Sequence, residues 1–217
     1  PHRNDGVECS YPHIHRPAIL GMCGAILGLR GRESDMEYYH KLGTMGISIV
    51  PSKLKFDTTI DTITNTTCFG NTDGHSQIIR KLMLINPEWD IYLKQNNIED
   101  SLWQELERRL INKDFVYGIG LGERKLFADI TNVETGEMEL ADIDEVDEIN
   151  SIIYRKDIND DIETNRIEFT APTDLYEIDN RWEYISEKLF FTNQYIDEIV
   201  ENVEIYDTGE VYIRFIE

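Results

Sequence analysis

The chain has 217 residues, of which 41% are hydrophobic and 10% aromatic, enough to bury the core of one domain with at most a smaller appendage. Its 42 Asp and Glu against 21 Lys and Arg give a formal charge of -21, which disfavours a general binder of nucleic acid or of anionic membranes. Three widely spaced cysteines predict neither a zinc clamp nor a disulfide framework, and with no long apolar run or signal sequence we expect a cytoplasmic protein.

The first helix is predicted after an irregular segment, residues 1–16. Pro17 opens PAILGMCGAILGLRG, whose broad apolar surface predicts a buried helix. Each of its interior glycines costs about 1 kcal/mol relative to alanine, so we expect close packing against another backbone and a sheet beside the helix.

Residues 34–112 predict further helices and strands. Ser34 or Asp35 caps a second helix, DMEYYHKLG, which Gly43 ends. The next segments are extended GISIVPSKLKFDTTIDTIT, a mobile excursion or hairpin tip at 65–76, a strand at 89–93, and a helix that Asp100 or Ser101 caps. That helix is amphipathic, with Leu102, Leu106 and Leu110 on one face and a Glu105–Arg109 pair on the other.

Beyond this helix we predict strands at FVYGIG, KLFADITNV and EMELADI, a polar stretch at 142–165, and a mixed tail. The tail ends in a hairpin that turns at Asp207-Thr-Gly209. The order of elements predicts an α+β sandwich of the ferredoxin-like kind, provided that a native N-terminal strand precedes Pro1. We divide the chain into a domain at 1–132 and an acidic region at 133–217.

Motifs for catalysis, metals or cofactors are not evident. The glycines of GMCGAILGLRGR lack the Gly-Lys-Ser/Thr ending of a phosphate loop. His13 and His15 form an H-x-H pair without further ligands, which favours a solvated loop over a metal site. We therefore expect a protein that is not an enzyme and needs no cofactor or metal.

Arg16 is the strongest candidate for contact with an anion. It precedes Pro17 at a helix start, where backbone donors and the helix dipole attract phosphate. Tyr11, His13 and His15 could stack on, or hydrogen-bond to, an unpaired base. Alternatively, Arg16 neutralises nearby acidic residues. We expect Arg16 to be exposed at the helix start, so Arg16→Ala should weaken RNA binding with little loss of stability.

Residues 10–29, SYPHIHRPAILGMCGAILGL, resemble the Cas-five family of CRISPR proteins, which carry Tyr-Pro, a basic-Pro step and a Gly-rich helix. Blocks in the same order extend the resemblance to residue 132: EYYHKLG, GISIVPSKLKF, HSQIIRKLMLINPEWDIYL and DFVYGIGLGERKLFADI. The chain is most similar to the non-cleaving members of type I-B systems.

The resemblance implies a RAMP-type, ferredoxin-like fold with a β-hairpin thumb at about 57–80. It implies a subunit of a type I surveillance complex, called Cascade, in antiviral defence. Such a subunit binds the 5′ handle of the guide RNA (crRNA) and contacts the large and backbone subunits. The matching RNA-binding positions are Tyr11, His13, His15, Arg16, Lys53, Lys55, Gln77, Arg80 and Lys81.

Two other functions stay open. A virus-borne Cas-five homologue could act as an anti-CRISPR decoy that binds complex subunits without guide RNA, and the charge of -21 favours this hypothesis. A guide-RNA processing endoribonuclease would require a positioned general base, which the sequence does not reveal.

Overall fold

The computed structural model describes residues 3–4, 7–31, 35–65, 77–121, 126–143, 146–158, 165–179, 181–193, 199 and 202–217. In these ranges the chain is α+β, as predicted, with helices α1 Arg16–Leu27, α2 Glu37–Leu42 and α3 Asp100–Asn112. The first six strands are β1 Arg3–Asn4, β2 Val7–Glu8, β3 Gly46–Pro51, β4 Thr58–Asn65, β5 Gln77–Leu84 and β6 Trp89–Lys94. The later strands are β7 Glu139–Leu140, β8 Ile153–Tyr154, β9 Arg166–Ile178, β10 Arg181–Thr192, β11 Tyr206–Asp207 and β12 Tyr212–Ile213. None of the helices in these ranges has the length and apolar character that crossing a bilayer requires.

Four sheets form in the described part of the chain. Their strand orders are β1-β2-β5-β4, β8-β10-β9, β12-β11-β7 and β3-β6. Strand β3 pairs antiparallel with β6, and on its other side Ile47 exchanges backbone hydrogen bonds with Ile216. The C-terminal segment therefore lies beside β3, on the edge opposite β6.

The main core lies between α1, β3, α3 and the β8–β10 sheet. Its members come from both sides of residue 132 and include Leu20, Ile47, Leu106, Ile152, Leu189 and Ile216. A second cluster packs beside it: Val146, Ile149, Ile153, Ile158, Phe190 and Ile205. Burial of these aliphatic and aromatic side chains is the main favourable contribution to folding.

Helix α1 confirms the predicted buried helix, and the predicted close packing is found at Gly24 but not at Gly21, where no atom lies within 4 Å of the position of a Cβ. A Cβ on Gly24 would lie 2.6 Å from the Cβ of Tyr38, so α2 approaches the α1 backbone at this point. The predicted neighbouring sheet is also present, because α1 contacts β9. Gly28 ends α1 in the left-handed region, with φ 77°, a conformation that glycine adopts without a steric penalty.

We expect Gly24→Ala to lower the free energy of unfolding by about 1 to 3 kcal/mol, because the new methyl group overpacks the α1–α2 contact. Gly21→Ala is the matched control, since no atom lies within 4 Å of the position its Cβ would occupy. That change should stabilise the protein by about 0.5 to 1 kcal/mol through helix propensity. Chemical denaturation measures both. Equal effects of the two substitutions would contradict the close approach at Gly24.

Several other predictions are confirmed. Gly43 ends α2, and β6 covers the predicted strand at 89–93. In α3, Leu106 is buried, and Glu105 pairs with Arg109 at 2.7 Å. The terminal hairpin is formed by β11 and β12, where the Gly209 N–H donates to Asp207 at 2.7 Å.

The predicted helix caps are wrong. Met36 precedes α2 in the left-handed region with φ 55° and makes no side-chain cap, and Asp35 lies one residue further out. Ser34, the alternative cap, lies outside the described residues. Glu99 precedes α3, and Ser101 donates its hydroxyl hydrogen to the Glu99 carboxylate rather than capping the helix.

The strand predicted at FVYGIG is also wrong, for a reason that lies in α1. The N–H groups of Val116 and Tyr117 donate to the Ile26 and Ala25 carbonyls at 3.2 and 3.1 Å. The segment thus donates to carbonyls in the last turn of α1, of which that of Ala25 also accepts from the Gly28 N–H at 3.2 Å. KLFADITNV forms a single bridge, Gly120 with Phe127, in its described part, and EMELADI contributes the two residues of β7.

The mixed tail predicted from the sequence contains the longest strands. Strands β9 and β10 have 13 and 12 residues and pair antiparallel, with a bulge between Ile185 and Ser186. Their inner halves lie in the main core. The outer half, which we call the β9–β10 arm and define as 174–185, is largely exposed.

Candidate nucleic-acid interface

The segment before α1, residues 11–15, is held in place by His13. This side chain is buried, and its ring lies 5.5 to 5.8 Å from the rings of Phe56, Phe169 and Phe191. Its Nδ1 accepts from the Trp89 indole at 3.4 Å, which leaves Nε2 to donate to the Leu54 carbonyl at 3.1 Å. The pattern assigns a neutral imidazole, and burial lowers the pKa of His13 to about 4.

The solvated loop predicted for His13 is therefore wrong. The sequence pattern H-x-H contains no signal for burial, because the surrounding rings come from positions 56, 169 and 191. In the described ranges, no cluster of three or more His, Cys, Asp or Glu could hold a metal ion.

His15 caps α1. Its Nδ1 accepts from the Ala18 N–H at 3.3 Å, which satisfies one of the free donors of the first turn. Burial lowers the pKa of His15 to about 4, so the ring is neutral at physiological pH. A neutral cap supplies no cation for a phosphate.

Arg16 is 1% exposed, so the predicted exposure of this residue is wrong. The guanidinium donates to the carbonyls of Thr173 and Met45 at 3.2 and 3.1 Å, and also to that of Gly43. It forms an ion pair with Asp174 at 3.0 Å. Of the two alternatives left by the sequence, this geometry matches neutralisation of a nearby acid.

Tyr39 extends the same cluster to α2. Its hydroxyl contacts the Asp174 carboxylate and donates to the Leu175 carbonyl at 2.8 Å. Burial, followed by the neighbouring Asp174, raises the pKa of Tyr39 to about 12. Arg16, Asp174 and Tyr39 thus join α1, α2 and β9, and we call them the Arg16 cluster.

Lys53 and Lys55 lie beside the 11–15 segment. Both are exposed, in the bend that joins β3 to β4, and the Leu54 carbonyl between them is the acceptor for His13. The structure therefore brings two of the predicted cations next to the predicted loop. This connection spans 41 residues of sequence.

Arg80 and Lys81 lie on β5 opposite Val7 and Glu8 of β2. Arg80 is exposed, whereas Lys81 pairs with Glu8 at 3.6 Å. Gln77 begins β5, opposite Asn65 of β4, and its side chain lies outside the described part of the structure.

The aromatic part of the interface contains one residue that the sequence did not indicate. Tyr11 meets His15 edge to face at 5.1 Å, and the ring of Tyr184 lies 6.5 Å from that of His15. Tyr184 is 57% exposed and reaches this position from β10. Burial and the neighbouring Tyr184 raise the pKa of Tyr11. The alternation of Trp182 and Tyr184 in the sequence is a signal for one face of a strand. It does not identify the residues that this face contacts.

The interface that remains combines half-exposed rings with a few cations. It consists of Tyr11, His15, Tyr184, Lys53 and Lys55, and Arg80 is a further exposed cation on β5. Aromatic rings with flanking cations are suited to stacking on unpaired bases and to phosphate contact. No family model matches the chain, and a search of curated proteins finds no match.

Proposed function

We propose that the chain is a non-catalytic, Cas-five-like subunit of a type I CRISPR surveillance complex. The observation that carries the proposal is the β4–β5 hairpin, which lies between β3 and β6 in sequence while β3 and β6 pair with each other. It overlaps the thumb expected at 57–80; of the tip expected at 65–76, Asn65 ends β4 and residues 66–76 lie outside the described residues.

The same arrangement supports a RAMP-type, ferredoxin-like fold as the finer description. Helices α1 and α3 contact each other and contribute to the core against which β3 and β6 pack. Adjacent antiparallel strands with helices on one face are typical of such a sandwich. In this proposal the partners are the large and backbone subunits and the 5′ handle of the guide RNA.

Contact with the guide RNA is assigned to the 11–15 segment and the neighbouring bend. We expect Lys53→Glu with Lys55→Glu to weaken binding of single-stranded handle RNA by about tenfold or more, because two phosphate contacts become repulsive. The slope of log affinity against log salt should fall by about one for each phosphate that the variant no longer neutralises. Fluorescence anisotropy in a salt series measures both quantities.

The matched control reverses two exposed charges elsewhere, Lys156→Glu with Lys188→Glu. It changes the net charge by the same amount, so a purely global electrostatic effect would weaken both double variants equally. Such equality would remove the RNA contact from Lys53 and Lys55.

The proposal as a whole is tested by co-purification with type I-B large and backbone subunits, with and without guide RNA, followed by an interference assay. We expect an RNA-containing complex that is competent for interference. If the chain joined the subunits neither with guide RNA nor without it, the proposal would be contradicted.

A decoy inhibitor is the second candidate, and a specific observation favours it. Arg16 and His13, two of the expected RNA contacts, are buried in structural roles, while the chain carries a charge of -21. A decoy needs the faces that bind protein but not those that bind RNA. In the same assay it would capture a subunit without guide RNA and abolish interference.

A further inference from the structure

Strand β4 forms one edge of the sheet β1-β2-β5-β4. It pairs with β5 in one unbroken register over its 8 residues, and it contains neither proline nor lysine. Short length, proline, lysine and bulges are features that commonly stop an edge strand from pairing with another chain. Thr58, Thr59, Ile60 and Thr62 are exposed. Within the described part of the chain, this edge is therefore available to a further strand.

The hydrogen bonds of the β4–β5 hairpin show which backbone groups of β4 point outward. The Ile85 N–H donates to the Asp57 carbonyl at 2.8 Å, in register with the two strands. Hydrogen-bonded and non-hydrogen-bonded positions alternate in an antiparallel pair, so Asp61 bonds to β5, whereas the N–H and C=O groups of Ile60 and Thr62 face away from it. An extended peptide backbone complements this row, because it offers acceptors and donors at the same spacing.

A row of residues with alternating charge crosses the sheet and ends at β4. In register, Arg3 of β1 lies opposite Glu8 of β2, Glu8 opposite Lys81 of β5, and Lys81 opposite Asp61 of β4. Lys81 and Glu8 form an ion pair at 3.6 Å. Opposite charges on neighbouring strands stabilise a sheet, and like charges directly opposite destabilise it. The next position in the row, on a strand added beside β4, therefore favours Lys or Arg.

The position opposite Asp61 is also one where side chains approach closely. On an antiparallel strand added at the outer edge, Asp61 falls at a non-hydrogen-bonded position, where the Cα atoms lie about 4.5 Å apart rather than about 5.5 Å. A cation at this position meets the carboxylate directly. The β4 strand of a second copy cannot supply that cation, because TTIDTITN contains no Lys or Arg, and two copies repel each other through a net charge of -21 on each.

We propose that β4 is a site of strand addition, where an extended, β-branched segment of another protein pairs antiparallel with β4 and places a Lys or Arg opposite Asp61. Main-chain hydrogen bonds to Ile60 and Thr62 supply the contact, and Asp61 disfavours strands that lack the cation. On the other face of β4, Ile60 is 57% exposed and packs against a β-branched neighbour on the added strand. The inference goes beyond the proposed function and requires neither RNA nor a CRISPR subunit.

The test titrates the full chain into labelled nine-residue peptides and follows fluorescence anisotropy. The parent peptide alternates Thr and Val, with Thr at both ends and Lys in place of the central Thr, and the second peptide carries Glu at that position. We expect saturable binding of the Lys peptide and binding of the Glu peptide that is weaker by about threefold or more, because its charge repels Asp61.

Two further peptides test the backbone contacts. One carries backbone N-methyl groups on the two Val residues that flank Lys, and the other carries a single backbone N-methyl group on Lys. In the antiparallel register, the flanking N–H groups point toward β4, whereas the N–H of Lys points away from it. Only the first of these two peptides should therefore lose its affinity.

Thr62→Pro removes an N–H that β5 does not use, so it should weaken binding of the Lys peptide by about tenfold or more and leave the hairpin paired. Thr62→Ala is the matched control, because it keeps the N–H, and it should change the affinity by less than about threefold. Asp61→Asn should abolish the preference for Lys over Glu. Asp129→Asn removes the same charge from an exposed position outside the hairpin and should retain that preference.

The proposal is overturned if the Lys peptide does not bind, if the Glu peptide binds equally, or if methylation of Lys costs as much affinity as methylation of its neighbours. These three results use the unmodified chain, so they decide the question even if Thr62→Pro does not fold. Sedimentation that shows a dimer dissociated by Thr62→Pro would overturn it in favour of a second copy. Because the assay contains no RNA and no CRISPR subunit, a negative result leaves the proposed function untouched.

Discussion

Arg16→Ala should lower the free energy of unfolding by about 2 to 5 kcal/mol, as expected when a large, fully buried side chain is truncated and its buried acceptors lose their donor. The substitution deletes every hydrogen bond that the guanidinium donates to the Gly43, Met45 and Thr173 carbonyls, and it leaves Asp174 without its cation. Buried acceptors without a donor are costly, and the loss is a large fraction of the roughly 5 to 15 kcal/mol that stabilises a domain. Urea denaturation followed by circular dichroism measures the change.

Lys41→Ala is the control, because Lys41 also forms an ion pair, with Glu37 at 3.0 Å, but at the surface. Exposed pairs contribute about 0 to 1 kcal/mol, so this substitution should have little effect. If Arg16→Ala cost no more than Lys41→Ala, the Arg16 cluster would not contribute to stability as its geometry indicates.

A double-mutant cycle separates the ion pair from the carbonyl contacts. Arg16→Met keeps the side-chain volume without the charge, and Asp174→Asn keeps a polar group without the charge. The coupling between the two should be about 0.5 to 3 kcal/mol, the range for residues in one network. Since the guanidinium is enclosed, weaker RNA binding in an Arg16 variant would follow from a disrupted fold rather than from removal of a group that binds phosphate.

The sequence predicted best those elements whose signals are local. Helix α3 repeats leucine every four residues, and the Asp207–Gly209 turn has residues suited to its backbone. Gly24 indicated close packing correctly, although the sequence could not specify that Tyr38 is its neighbour.

The β9–β10 hairpin was missed because its pattern is divided. The inner end of β10 is a continuous buried run that includes Leu189, Phe190 and Phe191, whereas its outer end alternates and stays exposed. A strand with two environments matches neither the alternating pattern nor the fully buried one over its whole length. The burial of each end of β10 depends on the distant segments that pack against it, and the local sequence does not contain that information.

The candidate site was only partly predicted, because its contacts also join residues that are far apart in the sequence. Proximity of the 11–15 segment to Lys53 and Lys55 comes from the hydrogen bond between His13 and the Leu54 carbonyl. The opposite outcome at Arg16 comes from Asp174, 158 positions away in sequence. A basic residue before a helix is typical of both an anion site and a buried anchor, and tertiary contacts decide between the two.

His13 should make the protein progressively less stable as the pH falls from about 6.5 to about 4. The ordinary pKa of 6.5 applies to the unfolded chain, whereas burial lowers the folded value to about 4. Between these values the unfolded state binds more protons, so acidification favours unfolding. The contribution of His13 is fully present above pH 6.5, and its loss amounts to about 2 kcal/mol by pH 5.

The comparison between wild type and His13→Gln isolates this effect. Acidification also protonates carboxylates and reduces the net charge, a change that both proteins share. Glutamine retains a donor and an acceptor but does not titrate, so we expect His13→Gln to be less stable than wild type at pH 7.5 because the geometry of both hydrogen bonds changes. Its additional loss between pH 7.5 and pH 5 should be smaller than that of wild type by about 2 kcal/mol.

His40→Gln is the control, because His40 is exposed, with its Nε2 3.6 Å from an Asp35 carboxylate oxygen. Urea denaturation of the three proteins at pH 7.5, 6 and 5 measures the double difference. If His13→Gln lost stability with pH as steeply as wild type and His40→Gln, the imidazole of His13 would not be held neutral. The hydrogen bond from Trp89 requires that neutral form, because a protonated Nδ1 could not accept from the indole, whereas Nε2 can donate to the Leu54 carbonyl in either form.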